Sequence, residues 1–133
     1  MNISTKSQYA LRALIYLAQK NDICSIKDIA VKESISADYL EKILLPLKKN
    51  GVLGVKQGVK GGYYLAKRPE DIKIGEIVLT LEKSKAPVCL LLNSKGCSHD
   101  SSCLAKGIWN KLQADWIKIV NSYSLADALS YSK

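Results

Sequence analysis

Apolar positions recur along the chain with two different periods, and the changes of period mark out the elements. From residue 7 to about 20, Leu11, Leu14, Ile15 and Ala18 follow the i, i+3, i+4, i+7 spacing of an amphipathic helix. "NDICS" breaks the pattern. Ser25 then predicts an N-cap, with Asp28 three residues on as an imperfect capping box, for a short helix to about Lys32. "ESIS" reads as a turn and Ser36 as a second N-cap. The next stripe is Leu40, Ile43, Leu44 and Leu47, closing at Asn50-Gly51. Pro46 lies inside that helix, where proline costs about 3 kcal/mol, so a kink or an early end is expected there.

Two short helices joined by a few residues, the second of them basic, outline a helix-turn-helix. The period then shortens. Val52 to Lys56 and Tyr63 to Ala66 are β-prone runs joined by a loop with Gly58, Gly61 and Gly62, which predicts a hairpin. A hairpin directly after a basic helix is the wing of a winged helix-turn-helix, with Lys56 and Lys60 supplying charge and glycines allowing close approach to phosphate. Helical spacing resumes at Ile74, Ile77, Val78 and Leu81, with a start near Asp71 or Lys73. A last long helix, about Leu104 to Tyr123, places Ala105, Trp109, Leu112, Trp116, Ile119 and Tyr123 on an a/d seam. Two closing helices leave little chain to cover that seam, so a homodimer through it is expected. "SLADALSY" adds a short terminal helix capped by Ser124.

The expected fold is mainly α with a small β-hairpin wing: a winged helix-turn-helix plus a long C-terminal dimerisation helix. Residues 1–83 form the DNA-binding domain, 84–103 a cysteine-rich loop, and 104–133 the dimerisation helix and tail.

Charge sharpens this picture. The chain has 133 residues and a formal net charge of +8, a balance that favours an anionic partner such as nucleic acid. The excess is local: between Lys42 and Lys85 ten basic residues face four acidic ones. Hydrophobic residues at 47% and charged residues at 24% are ordinary for a globular protein. No run of eighteen apolar residues suggests a membrane span, and the charged N-terminus lacks the features of a signal peptide. A cytoplasmic location is the resulting default. No carboxylate pair, Ser/His/Asp set or GK[ST] phosphate loop points to an enzyme.

The most unusual stretch is "CLLLNSKGCSHDSSC", residues 89 to 103, with three of the four cysteines and the only histidine. The spacing is C-x7-C-x5-C. A cytoplasmic setting disfavours a structural disulfide, and the paired CxxC knuckles usual for zinc are absent. Three readings remain open: an iron–sulfur cluster held by soft thiolates, a zinc site, or a thiol pair that responds to oxidation. Cys24, distant in sequence, reads as structural.

"STKSQYALRAL", "SADYLEKILLPLKKNGVL", "GGYYLAK", "KIGEIV" and the three cysteines before a helix containing Trp109 resemble the Rrf-two (Rrf2) family of iron–sulfur winged-helix regulators. The resemblance covers essentially the whole chain. It implies a homodimer that binds double-stranded DNA, with one iron–sulfur cluster per subunit on Cys89, Cys97 and Cys103. The fourth ligand varies in that family. IscR-like members use a histidine three residues after the last cysteine, where this chain has Lys106; some NsrR-like members use an acid near the partner's N-terminus, where it has Gln8. His99 lies where the family has no established ligand. The cysteine spacing is more similar to RirA and some NsrR proteins than to IscR. For DNA, the resemblance assigns recognition to Ser36 through Lys49, with Ser36, Tyr39, Glu41 and Lys42 as contacts. Glu41 falls at a base-reading glutamate, able to accept from a cytosine amino group. At the wing tip Gln57 stands where IscR has a minor-groove arginine, with Lys56 and Lys60 beside it. The implied function is a transcriptional regulator, a repressor by expectation, sensing iron, redox state or nitric oxide. The alternatives are a regulator using the cysteines as a thiol or zinc switch, and a small redox protein.

Overall fold

A computed structural model describes residues 3–82 and 104–131. Cys89, Cys97, His99 and Cys103 lie outside the described residues.

Helix α1 spans Thr5–Lys20, begins at the N-cap Ser4 and ends where Asn21 turns left-handed at φ 51°. Its buried face is Ala10, Ala13, Leu14 and Leu17. This is one residue offset from the stripe that spacing of large side chains suggests, because Leu11, Ile15 and Ala18 flank the seam and are only partly buried. Two of the four buried positions are alanines, and alanine is invisible to a count of bulky residues. Helix α2, Ile26–Glu33, starts from Ser25, whose hydroxyl accepts from the Asp28 N–H at 3.1 Å. It ends at Ser34, left-handed at φ 56°.

Helix α3, Ala37–Lys49, buries Leu40, Ile43, Leu44 and Leu47. It does not stop at Pro46: the helix runs on to Lys49. The burial of Leu47 one residue later, together with a hydrogen-bonded end, offsets the amide that proline cannot donate. Val52 N–H donates to Leu47 O at 3.0 Å and Gly51 N–H to Lys48 O at 3.1 Å, a Schellman pair closed by Gly51 at φ 80°.

Strands β1, Leu53–Lys56, and β2, Gly62–Leu65, pair antiparallel with Leu53 opposite Leu65 and Lys56 opposite Gly62. The hairpin is tied to the helices by Cys24. Its N–H donates to Tyr63 O at 2.9 Å and its carbonyl accepts from Tyr63 N–H at 2.8 Å. A Cβ on Gly62 would lie 2.2 Å from the Cys24 carbonyl oxygen. Cys24 is buried in the core, and burial, with Asp22 and Asp28 nearby, pushes its thiol pKa up. A protonated, enclosed thiol fits a structural role.

A 3₁₀ turn at Pro69–Asp71, which no hydrophobic period marks, leads into α4, Ile74–Leu81. Helix α5, Lys106–Asn121, packs on α4 where Gly75 meets Asn121. Ile74 N–H donates to Tyr123 O and Leu125 N–H to Ile72 O, both at 2.8 Å. These bonds join the chain after α5 to the start of α4. Helix α6, Leu125–Tyr131, is closed by a reciprocal cap: Ser124 Oγ accepts from Asp127 N–H, and Asp127 Oδ2 accepts from Ser124 N–H. Leu125 is fully buried in the same core as Leu14, Leu44 and Ile77.

The Gly62–Cys24 approach is backbone on backbone, so neither side yields by a rotamer change. Gly62→Ala is expected to cost about 1–3 kcal/mol, read as a lower denaturant midpoint with an unchanged slope. An unaltered midpoint contradicts this account of how the wing is attached.

Candidate nucleic-acid interface

The helix-turn-helix is α2, the turn at residues 34–36, and α3. Ser36 Oγ accepts from Tyr39 N–H at 3.3 Å, which satisfies one of the unpaired N–H groups in the first turn of α3. The four buried leucine and isoleucine residues hold one face of α3 in the core, so Asp38, Tyr39, Glu41, Lys42, Leu45, Lys48 and Lys49 are turned outward. Four residues expected to contact DNA, Ser36, Tyr39, Glu41 and Lys42, are all exposed. Lys56, Gln57 and Lys60 are exposed on the hairpin, with Gly58 at φ 109° forming its tip.

Glu41 lies toward the wing. Burial and the Glu41 charge together hold the Tyr63 hydroxyl pKa above its ordinary value. Helix α3 packs directly against β1 of the hairpin. Among the described residues, Lys42, Lys48, Lys49, Lys56 and Lys60 form no ion pair, whereas Lys67 is held by Glu76 at 2.9 Å and Arg68 by Asp71 at 3.0 Å. Other described lysines, such as Lys6, Lys27 and Lys118, also lack ion pairs, but those of α3 and the wing stand together on the exposed face of the winged helix. They are the charges available to displace counterions from a phosphate backbone.

Sequence reading missed the brace behind this surface. Tyr9 on α1 meets Tyr39 edge to face, with ring centres 6.2 Å apart. The Arg12 guanidinium lies 5.6 Å from the Tyr9 ring centre and donates to Glu33 Oε2 at 2.8 Å and Glu33 O at 3.1 Å. Thus α1 grips the last residue of α2 and the first turn of α3, on both sides of the turn. Tyr9 and Arg12 lie three residues apart on one helix face, but their partners are over twenty residues away and carry no local signal.

Of the remaining residues considered as ligands, Gln8 is exposed and its Nε2 donates to Ile3 O at 3.0 Å. Lys106 is the first residue of α5. Among the described residues no cluster of three or more His, Cys, Asp or Glu side chains is placed to hold a metal.

The sequence model of the Rrf2 family, described as "Iron-dependent Transcriptional regulator", matches residues 3–131. The chain belongs to the Rrf2 family of transcriptional regulators. It is 36% identical over 131 residues to the protein rrf2 of Nitratidesulfovibrio vulgaris, covering 97% of this chain and 87% of that one. The structure of T. potens IscR superposes with a TM-score of 0.77 at 31% identity, over 100% of this chain and 89% of the other. CymR, described as the global cysteine regulator of B. subtilis, superposes with a TM-score of 0.79 at 30% identity, over 100% and 99%. The solved Rrf2 neighbours are winged-helix proteins, so the hairpin is the wing of that fold, and homologues of this chain are transcriptional regulators rather than enzymes.

Replacing Lys56 or Lys60 with alanine is expected to weaken binding to all duplexes alike and to lower the salt slope by about 1 for each phosphate no longer neutralised. Titrations on two unrelated sequences across a salt series check this. A weakening confined to one sequence would instead make the lysine a base reader.

Proposed function

We propose that this Rrf2 protein is a dimeric DNA-binding regulator, a repressor, whose operator affinity depends on an iron–sulfur cluster held by Cys89, Cys97 and Cys103. What carries the reading is the match of an iron-dependent regulator family over residues 3–131 in a chain with three cysteines between α4 and α5. Their thiolates are a soft donor set that suits iron. Such a group supplies a centre whose assembly and loss answer to iron supply, oxidants or nitric oxide. The fourth ligand is drawn from His99, Gln8 of the partner subunit, or Lys106. In this reading residues 1–83 read DNA, 84–103 sense, and 104–133 pair the subunits.

The pairing surface is supported by α5. In the single chain Ile108, Trp109, Leu112 and Ile119 are 55, 39, 48 and 53% exposed, and Tyr123 beyond them is 48% exposed. They share one side of the helix, while Val120 and Asn121 face α4. A continuous apolar face on a solvent-facing helix fits a second copy of the same helix. Two α3 helices in a symmetric dimer then enter successive major grooves about one helical turn apart. Unpaired lysines on α3 and the wing neutralise phosphates, and Glu41 reads a base edge.

The likeness to CymR favours one second reading, in which the same DNA-binding dimer uses its cysteines as a thiol or zinc switch without iron.

Protein purified without oxygen is expected to be coloured and to contain iron and acid-labile sulfide, and Cys97→Ala to be colourless with altered DNA affinity. Protein that stays iron-free after anaerobic reconstitution with ferrous iron and sulfide overturns the cluster and leaves the thiol or zinc switch. Leu112→Asp is expected to yield monomers by sedimentation and to cost DNA binding at least about tenfold, since two half-sites no longer bind together. A variant that remains dimeric contradicts the α5 interface.

A further inference from the structure

Glu82 lies at the end of α4, outside α3 and the wing, and among the described residues it is one of the most heavily bonded carboxylates. It caps the C-terminus of α4 and immediately precedes residues 83–103, which carry the three cysteines. Its Oε1 accepts from Ser4 N–H at 2.9 Å, from the Ser7 hydroxyl at 2.7 Å and from the Ser4 hydroxyl. Ser7 is 1% exposed, so its hydroxyl depends on a protein partner. The carboxylate sits on the first turn of α1, where free N–H groups and the helix dipole favour an anion. Bonds to an ionised acceptor are about twice as strong as neutral ones. Two segments more than seventy residues apart are thereby pinned at one oxygen.

The same stretch of α1 grips the recognition unit. Tyr9 packs on Tyr39 in the first turn of α3, and Arg12 holds both the side chain and the carbonyl of Glu33. Ser4, Ser7, Tyr9 and Arg12 occupy little more than two turns of one helix. The route from the root of the cysteine segment to the turn before α3 is therefore continuous: Glu82 to Ser4 and Ser7, along α1, then Tyr9 to Tyr39 and Arg12 to Glu33.

We propose that Glu82 is a positioning residue for operator reading: through Ser4 and Ser7 it sets α1, and through α1 it couples the cysteine segment to the recognition helix. This rests on the regulator reading above and names its transmission. A displacement of the segment pulls on the carboxylate, α1 shifts against α2 and α3, and the presentation of Tyr39, Glu41 and Lys42 changes. Non-specific binding, which rests on lysine charge, is not affected by that shift.

The test uses full-length protein and a duplex selected by the wild type from random sequences. Affinity is measured metal-free and after anaerobic reconstitution with ferrous iron and sulfide, beside an unrelated duplex at the same salt. Glu82→Ala is expected to reduce the ratio of the two selected-duplex affinities to within about twofold of one, with iron content and unrelated-duplex affinity unchanged. Hydrogen exchange in residues 4–12 and 36–42 rises in the same variant. Glu82→Gln, which keeps an acceptor oxygen, retains most of the wild-type ratio. Ser7→Ala removes one donor without touching α4 and serves as the second variant if Glu82→Ala does not fold. An alanine variant that keeps the wild-type ratio overturns the coupling, as does one that loses its iron. A wild-type ratio of one removes the sensing reading and the coupling with it, whereas a larger wild-type ratio that survives Glu82→Ala removes the coupling alone.

Discussion

The packing of α1 into the centre of the molecule is the constraint from which the rest follows. Ala10, Ala13, Leu14 and Leu17 are all essentially buried, and α2, α3, α4, α6 and the second wing strand each pack against this helix. Alanines at two of the four positions let neighbouring backbones come close, and close packing makes the interior intolerant of small displacements. A helix with that many neighbours cannot shift without moving what it touches. Its exposed flank carries Tyr9 and Arg12 to the turn of the helix-turn-helix, and its first turn carries Ser4 and Ser7 to Glu82. Support of the DNA-reading surface and access to the cysteine segment thus meet on one element.

Charge and apolar surface divide the labour outside that core. On α3 and the wing, exposed lysines without acidic partners are the charges that the proposed reading assigns to the sequence-independent part of DNA affinity, while Lys67 and Arg68 just beyond the wing are neutralised locally. On α5 the exposed surface is apolar, and in the proposed reading association with a second copy covers it. A single chain therefore has two incomplete surfaces of different chemistry, the pattern expected of a regulator that pairs before it reads a two-fold site.

How much of this is legible in the sequence depends on how local each cause is. Ser25, Ser36 and Ser124 announce their caps because an N-cap bonds within three residues. Asn50-Gly51 ends α3 because a Schellman turn needs a residue free to adopt positive φ. The spacing of bulky residues puts the face of α1 one residue off, since its seam is built on alanines that a search for large apolar side chains passes over. Pro46 points to a kink or an early end, and the early end does not occur, since the helix runs on to Lys49 with Leu47 buried and a Schellman closure. The Cys24–Tyr63 bridge, the Tyr9–Tyr39 contact and the Glu82 clamp leave no trace, because each joins residues that only the tertiary fold brings together. Among site residues, Lys56 and Lys60 follow from the hairpin and its charge, Ser36, Tyr39, Glu41, Lys42 and Gln57 come from the family resemblance, and the brace behind them comes from neither.

The central claim is that the state of the cysteine segment sets how tightly the paired winged helices hold their operator. It is tested most directly by the binding isotherm of one anaerobic preparation on its selected duplex, at fixed salt, before and after its iron is chelated. The two midpoints are expected to differ by about tenfold or more, corresponding to about 1.4 kcal/mol of coupling, with no such change on an unrelated duplex. Superimposable isotherms from protein shown to have carried iron and sulfide would contradict it.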